Sequence, residues 1–475
     1  MKNSLFIKVI FFVSIIISLA GCKIENLNTK EANYAMPNKY ALANDSTNTQ
    51  ALYWRNYFTD TNLVALIDEA LKNNQDLNIM LREIEISKNE ILSRKGEYLP
   101  FGFLGAGLGV EKSSKYTWDG VSEEDAKTRP DPLPRYIGNQ SVMANFTWEI
   151  DIWNKLHNAK DAAVKRLLAT VDGKNFLITN LIAEIANSYY ELVVLDNELQ
   201  IVEQNITIQK ESLEMVKVQK DAAKVNQLAI NRFMAQLLNT ENLRFEILQR
   251  TTEVENKINF LVARYPQPIK RNSNNINGIE LMNITAGIPA QLLSNRPDIR
   301  QAENTLQAVK LDIAVARANF YPNLTLSAGV GLNAFNPAYL INPQSVAINM
   351  LGNMMGPLIN KRAIKATYYN ANERQIQAVY AYEQTVLNAF LEVTNQLAAN
   401  KNYKESFTTK KNQVDILSNS IDISNSLFKS ARADYTEVLL TQREALEAKM
   451  DLMEIKQKQL SAQVNIFKAL GGGWK

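Results

Sequence analysis

The stretch NFTWEIDIW, residues 145–153, decides how the rest of the chain is read. Every second residue from Phe146 is apolar: Phe146, Trp148, Ile150 and Ile152. Asn145, Thr147, Glu149 and Asp151 lie between them. Period two marks a strand with one greasy face and one wet face. On this reading Glu149 and Asp151 share the wet face near the strand end. Three more stretches follow the rule. Leu104, Ala106, Leu108 and Val110 alternate with Gly105, Gly107 and Gly109. Leu324, Leu326, Ala328, Val330 and Leu332 alternate with Thr325, Ser327, Gly329 and Gly331, and Val346, Ile348 and Met350 alternate with Ala347 and Asn349. Each run has about the length of a transmembrane strand. A soluble sandwich with one buried face would show the same alternation. Four strands separated by long helices make a poor sandwich, however, and a membrane barrel needs about eight or more. Open edges are not tolerated in lipid. Several chains must then share one barrel, and the alternation does not fix their number.

The chain is written twice. Residues 71–109 face 293–331 at an offset of 222 with ten identical pairs in thirty-nine columns, among them Asp76 with Asp298, Pro100 with Pro322 and Gly107 with Gly329. At an offset of 209, NKINFLVAR (256–264) faces NIFKALGGG (465–473). The shift in offset is assigned to a charged, Pro-containing insert over residues 111–140, a solvated loop. Each copy reads helix, strand, loop, strand, long helix, turn, long helix. The expected boundaries are a repeat over 61–265, a linker over 266–292 and a repeat over 293–475. Strands are expected over about 101–111, 141–151, 322–333 and 344–355, and long helix pairs over 152–264 and 358–470. Residues 155 to about 222 hold no Pro and one Gly, so a helix about 100 Å long is expected. Leu439, Leu446, Met453, Leu460 and Phe467 recur every seventh residue, the period of a coiled coil. The helix pairs break at KDAAKVNQLA (220–229) and KSARADYTEV (429–438), which are expected as distal turns.

The first residues are MKNSLFIKVIFFVSIIISLAGC. A basic start and a short apolar core make a secretory signal over residues 1–21. Leu19-Ala20-Gly21-Cys22 resembles a bacterial lipoprotein box, with Cys22 as the acylated first mature residue of a lipid-anchored segment, 22–60. Cys22 is the sole cysteine, so an intrachain disulfide is excluded. Net charge is +3, and removal of Lys2 and Lys8 with the signal leaves +1, which is no nucleic-acid profile. No catalytic constellation is found. His157 is the sole histidine, and no phosphate loop or metal-ligand spacing occurs. Trp148 and Trp153 suit a belt at a membrane interface.

These residues resemble the TolC-type outer-membrane efflux proteins, in the lipoprotein branch that serves resistance-nodulation-division pumps. LLSNRPDIRQAE (292–303), ARANFYPNLTLSAGVG after it, TWEIDIWNKL and the C-terminal KALGGGW (468–474) carry the resemblance. It implies a mainly α fold with a transmembrane β-barrel. In it, a homotrimer closes twelve strands and its long helices form a periplasmic α-barrel. It also implies a periplasmic adaptor and an inner-membrane pump as partners, and no cofactor beyond the lipid on Cys22. Carried over by position, adaptor contact falls on Ala222, Ala223 and Lys224 and on Ala431, Arg432 and Ala433. The family often has Gly where Lys224 and Ala433 stand, so the chain departs from the pattern there. The periplasmic aperture falls on Glu437, with Tyr435 and Asp434 beside it. Glu437 would ring a closed end and favour cations, or is a plain surface carboxylate. Arg432 and Asp434 would latch neighbouring subunits, or form exposed pairs of little energetic weight. A protein-secretion duct and a lipid-anchored coiled-coil interaction protein are the alternatives. The cargo is not legible.

Overall fold

The computed structural model describes residues 24–40, 53–112, 114, 116, 136–273, 276–279, 281, 286–430 and 432–474. Cys22, Ala431, the signal and most of the expected loop over 111–140 lie outside them. In chain order the main elements are α1 (Thr61–Asn73), α2 (Gln75–Glu97), β1 (Phe101–Glu111), β2 (Ile137–Ile150), α3 (Lys155–Asp221) and α4 (Gln227–Leu261). The second half supplies α5 (Pro297–Ala318), β3 (Asn323–Ala334), β4 (Val346–Met355), α6 (Arg362–Lys429) and α7 (Tyr435–Ala469). The duplicated order of elements is therefore present in the fold.

The chain divides into two compact units. One comprises Met1–Glu31, Glu85–Leu168 and Asn304–Tyr380, and it holds the strands. They form one antiparallel sheet in the order β1-β2-β3-β4. Residues directly opposite each other in an antiparallel ladder share a face, so the register sorts the side chains. Leu104 faces Ala144, Ala144 faces Val330, and Val330 faces Ile348. That row and the rows two residues away carry Leu, Val, Ile, Met, Ala, Phe146 and Trp148, with Gln140 as the one polar side chain. The opposite face carries Asn145, Ser141, Thr147, Thr325, Ser327, Asn349 and Asn353 among glycines. Among the described residues nothing covers the apolar face: Leu108 is 88% exposed and Met350 83%.

The strand limits of β3 and β4 fall within two residues of the sequence reading, and those of β2 differ in ways that matter. β2 begins at Ile137, four residues inside the expected loop, because Gly138–Gln140 continue the ladder opposite Leu108–Val110. Asp151 lies beyond the last strand residue, Ile150, and does not share a face with Glu149. Its carboxylate instead accepts from the backbone N–H of Leu156 (3.1 Å) and of His157 (2.9 Å), and lies 2.7 Å from His157 Nδ1. Those donors are first-turn amides of α3 that have no partner inside the helix. Burial raises the Asp151 pKa, but the hydrogen bonds from His157 and Leu156 outweigh it and leave the carboxyl below its ordinary range. Glu149 stays on the polar face and accepts from Lys155 Nζ at 2.5 Å.

The second unit comprises Ala32–Ile84, Ala169–Glu303 and Ala381–Lys475. The heptad residues Leu446, Met453, Leu460 and Phe467 of α7 form its seam, buried in one cluster with Val464 and with Leu192, Leu195, Val202, Leu213 and Val216 of α3. The helix ends show the duplication and correct its register. Helix α3 ends at Asp221 and α6 at Lys429; α4 ends at Leu261 and α7 at Ala469. Both pairs differ by 208, not 209. Each last helix closes with a left-handed residue, Ala263 (φ 56°) in the first copy and Gly471 (φ 81°) in the second. The closing hydrogen bonds correspond too, Arg264 N–H to Asn259 O (2.9 Å) and Gly472 N–H to Phe467 O (3.0 Å). This is the usual way a helix C-terminus satisfies its carbonyls. A Cβ on Gly471 would lie 2.4 Å from the Asn295 carbonyl oxygen, so only glycine fits that close approach.

Each copy also breaks its leading helix at one equivalent position. Asn74, between α1 and α2, donates from Nδ2 to Leu261 O (2.9 Å) and accepts from Leu77 N–H (3.0 Å). Arg296, just before α5, donates from Nη1 to Ala469 O (2.7 Å). In both copies one side chain ties the start of the repeat to the end of its last helix. Pro297 opens α5 and Asp298 lies in its first turn, as read from the sequence. Arg296 adds what sequence reading missed: it holds Asp298 through Nε and Nη2 and Glu392 through Nη1.

Candidate functional site: a two-faced sheet and paired helix turns

The two tryptophans expected at a membrane interface lie at one end of the sheet. Trp148 stands on the apolar face and donates from Nε1 to Tyr98 O at 2.9 Å. Trp153 follows the strand, donates to Pro322 O at 2.7 Å and stacks on Tyr321 at 4.6 Å between ring centroids. Tyr98 stacks on His157 at 4.4 Å. Aromatic side chains with one hydrogen-bonded end and one apolar body are what a membrane boundary collects.

The two distal turns rest on one hydrophobic cluster. Val216, Ala229 and Phe233 flank the first turn, Phe428 and Val438 flank the second, and all are buried together. Gln442 Nε2 donates to Ser212 Oγ at 2.8 Å in the same region, joining α7 to α3. Ala222, Ala223 and Lys224 are exposed, as is Arg432, and Ala433 is half-buried. The left-handed residue of the first turn is Ala223, φ 54°. It stands one position before Lys224, where family resemblance directed attention. Lys224 N–H bonds Gln219 O and Arg432 N–H bonds Leu427 O, both at 2.9 Å, so the two turns close alike. Since alanine in the left-handed region costs roughly 1 kcal/mol that glycine avoids, Ala223→Gly will raise stability by about that amount in denaturant titrations.

Asp434 caps α7 by accepting from Thr436 N–H. Tyr435 is half-buried against the cluster, and Glu437 is exposed in the first turn. Arg432 and Asp434 form no ion pair among the described residues, which leaves both side chains at the turn surface.

A second charged group of the helix unit, after Arg296, has no signal in the sequence. Glu198 of α3 is 5% exposed and borders a cavity of about 650 Å3 with Arg250, Glu454 and Tyr403. Arg250 Nη1 stands 3.8 Å from Glu198 Oε2, too far for a hydrogen bond, and Oε2 has no such partner. Burial raises the Glu198 pKa to about 7; Arg250 opposes the rise, while Glu454 and Glu191 add to it. A carboxyl raised in the folded state stabilises folding when protonated. That contribution is complete below the unfolded value near 4.5 and is lost as pH rises through about 7. Glu198→Gln will therefore raise stability at pH 8 by ~2–3 kcal/mol while changing it little at pH 4.5. Thermal melts across that range check it.

A sheet with one apolar and one polar face, two edge strands unpaired among the described residues, and long helix pairs ending in exposed turns fit a subunit of a membrane duct. Comparison with known proteins agrees. The outer membrane efflux protein family model matches residues 66–262 and 288–472, and the chain belongs to that family. It is similar to the cation efflux system protein CusC of Escherichia coli O6:H1, 26% identical over 467 residues that cover 97% of each chain. It is also similar to the solvent efflux pump outer membrane protein SrpC of Pseudomonas putida, 26% identical over 88% of this chain and 87% of that one. The fold matches the open state of the Neisseria gonorrhoeae MtrE outer membrane channel with a TM-score of 0.82 at 20% identity, over 96% of this chain and 99% of the other.

Proposed function

We propose that three copies of the chain close a twelve-stranded barrel and form the outer-membrane duct of a tripartite efflux system. The single observation that carries this is the uncovered apolar face of a four-stranded sheet whose edges, β1 and β4, pair with nothing among the described residues. Lipid is the environment that accepts such a face, and closure is the only way to satisfy its edges there. The helix turns are the docking end for a periplasmic adaptor, through Ala222, Ala223, Lys224, Ala431, Arg432 and Ala433, and Glu437 lines the aperture beside Asp434 and Tyr435. An inner-membrane resistance-nodulation-division pump supplies the energy; the chain provides a passive path and is not an enzyme. The relatives' names span a cation and organic solvents.

Acylation of Cys22 belongs to this reading. Ile24, two residues on and so within ~7 Å of chain, packs with Leu27 against Phe320, Tyr368 and Ala371, beside the start of β3. The following residues are strapped to α6: Gln375 Nε2 donates to Lys30 O (2.7 Å) and Asn372 Nδ2 to Asn28 O (3.2 Å). The test is growth of a strain lacking this chain but keeping its pump and adaptor, challenged with solvents, dyes and metal ions. Restored resistance to at least one class by the wild-type chain, and not by a chain with Cys22 and both turns altered, is the expected result. No class restored would contradict the efflux role.

A further inference from the structure

The polar face of the sheet carries a few apolar side chains, Ile137, Met143 and Met355 among them, and its largest are two phenylalanines in neighbouring rows. Phe103 lies directly opposite Asn145, and Phe101 opposite Thr147, so both rings stand on the face of Asn, Ser, Thr and Gly. Their centroids are 6.2 Å apart, and they are 68% and 50% exposed for Phe101 and Phe103. Following the same row across the sheet, Thr147 faces Ser327 and Ser327 faces Leu351, which is 65% exposed. The apolar side chains of this row therefore sit on its two outer strands, β1 and β4, and polar ones fill the middle. Large apolar groups on a wet strand face have no folding reason to be there. Their alternation fits a lipid-facing surface only if the whole strand flips, and Gly102 and Leu104 between and beyond them lie on the lipid-type face with Phe146 and Ala144.

Resting on the duct reading above, we propose that Phe101, Phe103 and Leu351 form an apolar collar inside the barrel lumen, at each seam where β1 of one copy meets β4 of the next, and that it holds aromatic and lipophilic solutes in transit. No charge lies in these rows. The nearest on this face is Glu149, already engaged by Lys155. The collar thus selects by apolar surface rather than by ionic attraction, while neutral Asn and Thr neighbours keep the path wet. Flat aromatic faces suit such contacts because stacking and dispersion need no fixed hydrogen-bond geometry.

The test uses the full chain in lipid nanodiscs with a reporter thiol opposite Phe103, Asn145→Cys, labelled by a membrane-impermeant maleimide. Signal is taken relative to the chain without the reporter. Tetraphenylphosphonium is expected to slow labelling at least about fivefold, and tetramethylammonium at equal concentration to leave it unchanged. Protection should vanish when Phe101→Asn and Phe103→Asn are added, and weaken with Leu351→Asn alone, which guards against a misfolded double variant. Absent protection, or protection that survives all three substitutions, overturns the collar. A second reporter, Leu104→Cys, separates the two levels of the argument. If it labels as fast as Asn145→Cys, the lipid and lumen faces are misassigned, and the duct reading falls together with the collar.

Discussion

Arg296→Ala will destabilise the helix unit by about 3–5 kcal/mol, the cost of breaking a buried ion pair from one side. Arg296 is 5% exposed. Its guanidinium meets Asp298 at 2.8 and 3.0 Å, Glu392 at 2.8 Å and the Ala469 carbonyl at 2.7 Å. Alanine would leave two partly buried carboxylates without their cation, and the Ala469 carbonyl without the Arg296 donor. A lysine cannot replace this planar fork, since its single ammonium reaches a subset of the same acceptors; Arg296→Lys will recover only part of the loss. The repeat supplies an internal control. Asn74→Ala removes the equivalent tie to Leu261 O but buries no charge, so its cost should be near 1–3 kcal/mol. Denaturant titration of the four proteins ranks them. Equal losses for Arg296→Ala and Asn74→Ala would mean that the carbonyl tie, not the charge cluster, is what matters.

The second large effect concerns the sheet. Val330→Lys will block accumulation in the outer membrane, whereas Ser327→Lys will be tolerated. Val330 sits between Ala144 and Ile348 on the apolar face, in the middle of β3. A lysine at the bilayer midplane costs ~2–4 kcal/mol, and a closed assembly carries it once per subunit. Ser327 is three residues away on the same strand and on the other face, opposite Thr147 and Leu351. There a lysine meets water and alters only ion preference. Membrane fractionation followed by heat-modified gel mobility reads both variants. Equal accumulation would remove the distinction between the faces.

The sheet was legible because period two is written in residue type and survives folding unchanged. Leu104, Phe146, Val330 and Ile348 needed no tertiary information to be placed on one face. The duplication was legible for the same reason, in Pro100 and Pro322 and the glycines after them. Its closing register was not. The helix that ends at Leu261 closes on Ala263 where its counterpart uses Gly471, so no glycine marks the boundary and an alignment by identity slips by one. Asp151 was misread because alternation continues in the sequence after the ladder stops, and a carboxylate that caps a helix looks the same as one on a strand. Similarly, the positive φ at Ala223 leaves no trace in an alanine. Arg296 and Glu198 share a further cause. Arg296 acts on Glu392 and Ala469, 96 and 173 residues away, and Glu198 is buried by helices far along the chain. Long-range partners are invisible to local pattern, so a buried charge and a solvated one read alike.

A duct requires the sheet to be part of a shared barrel. The most direct test is a single-particle cryo-electron microscopy reconstruction of the protein in nanodiscs. The predicted result is three chains around one twelve-stranded barrel, with β1 of each subunit hydrogen-bonded to β4 of its neighbour and Leu108 and Met350 against lipid. A particle with one chain, or with β1 and β4 left unpaired and the apolar face packed on protein, would contradict it.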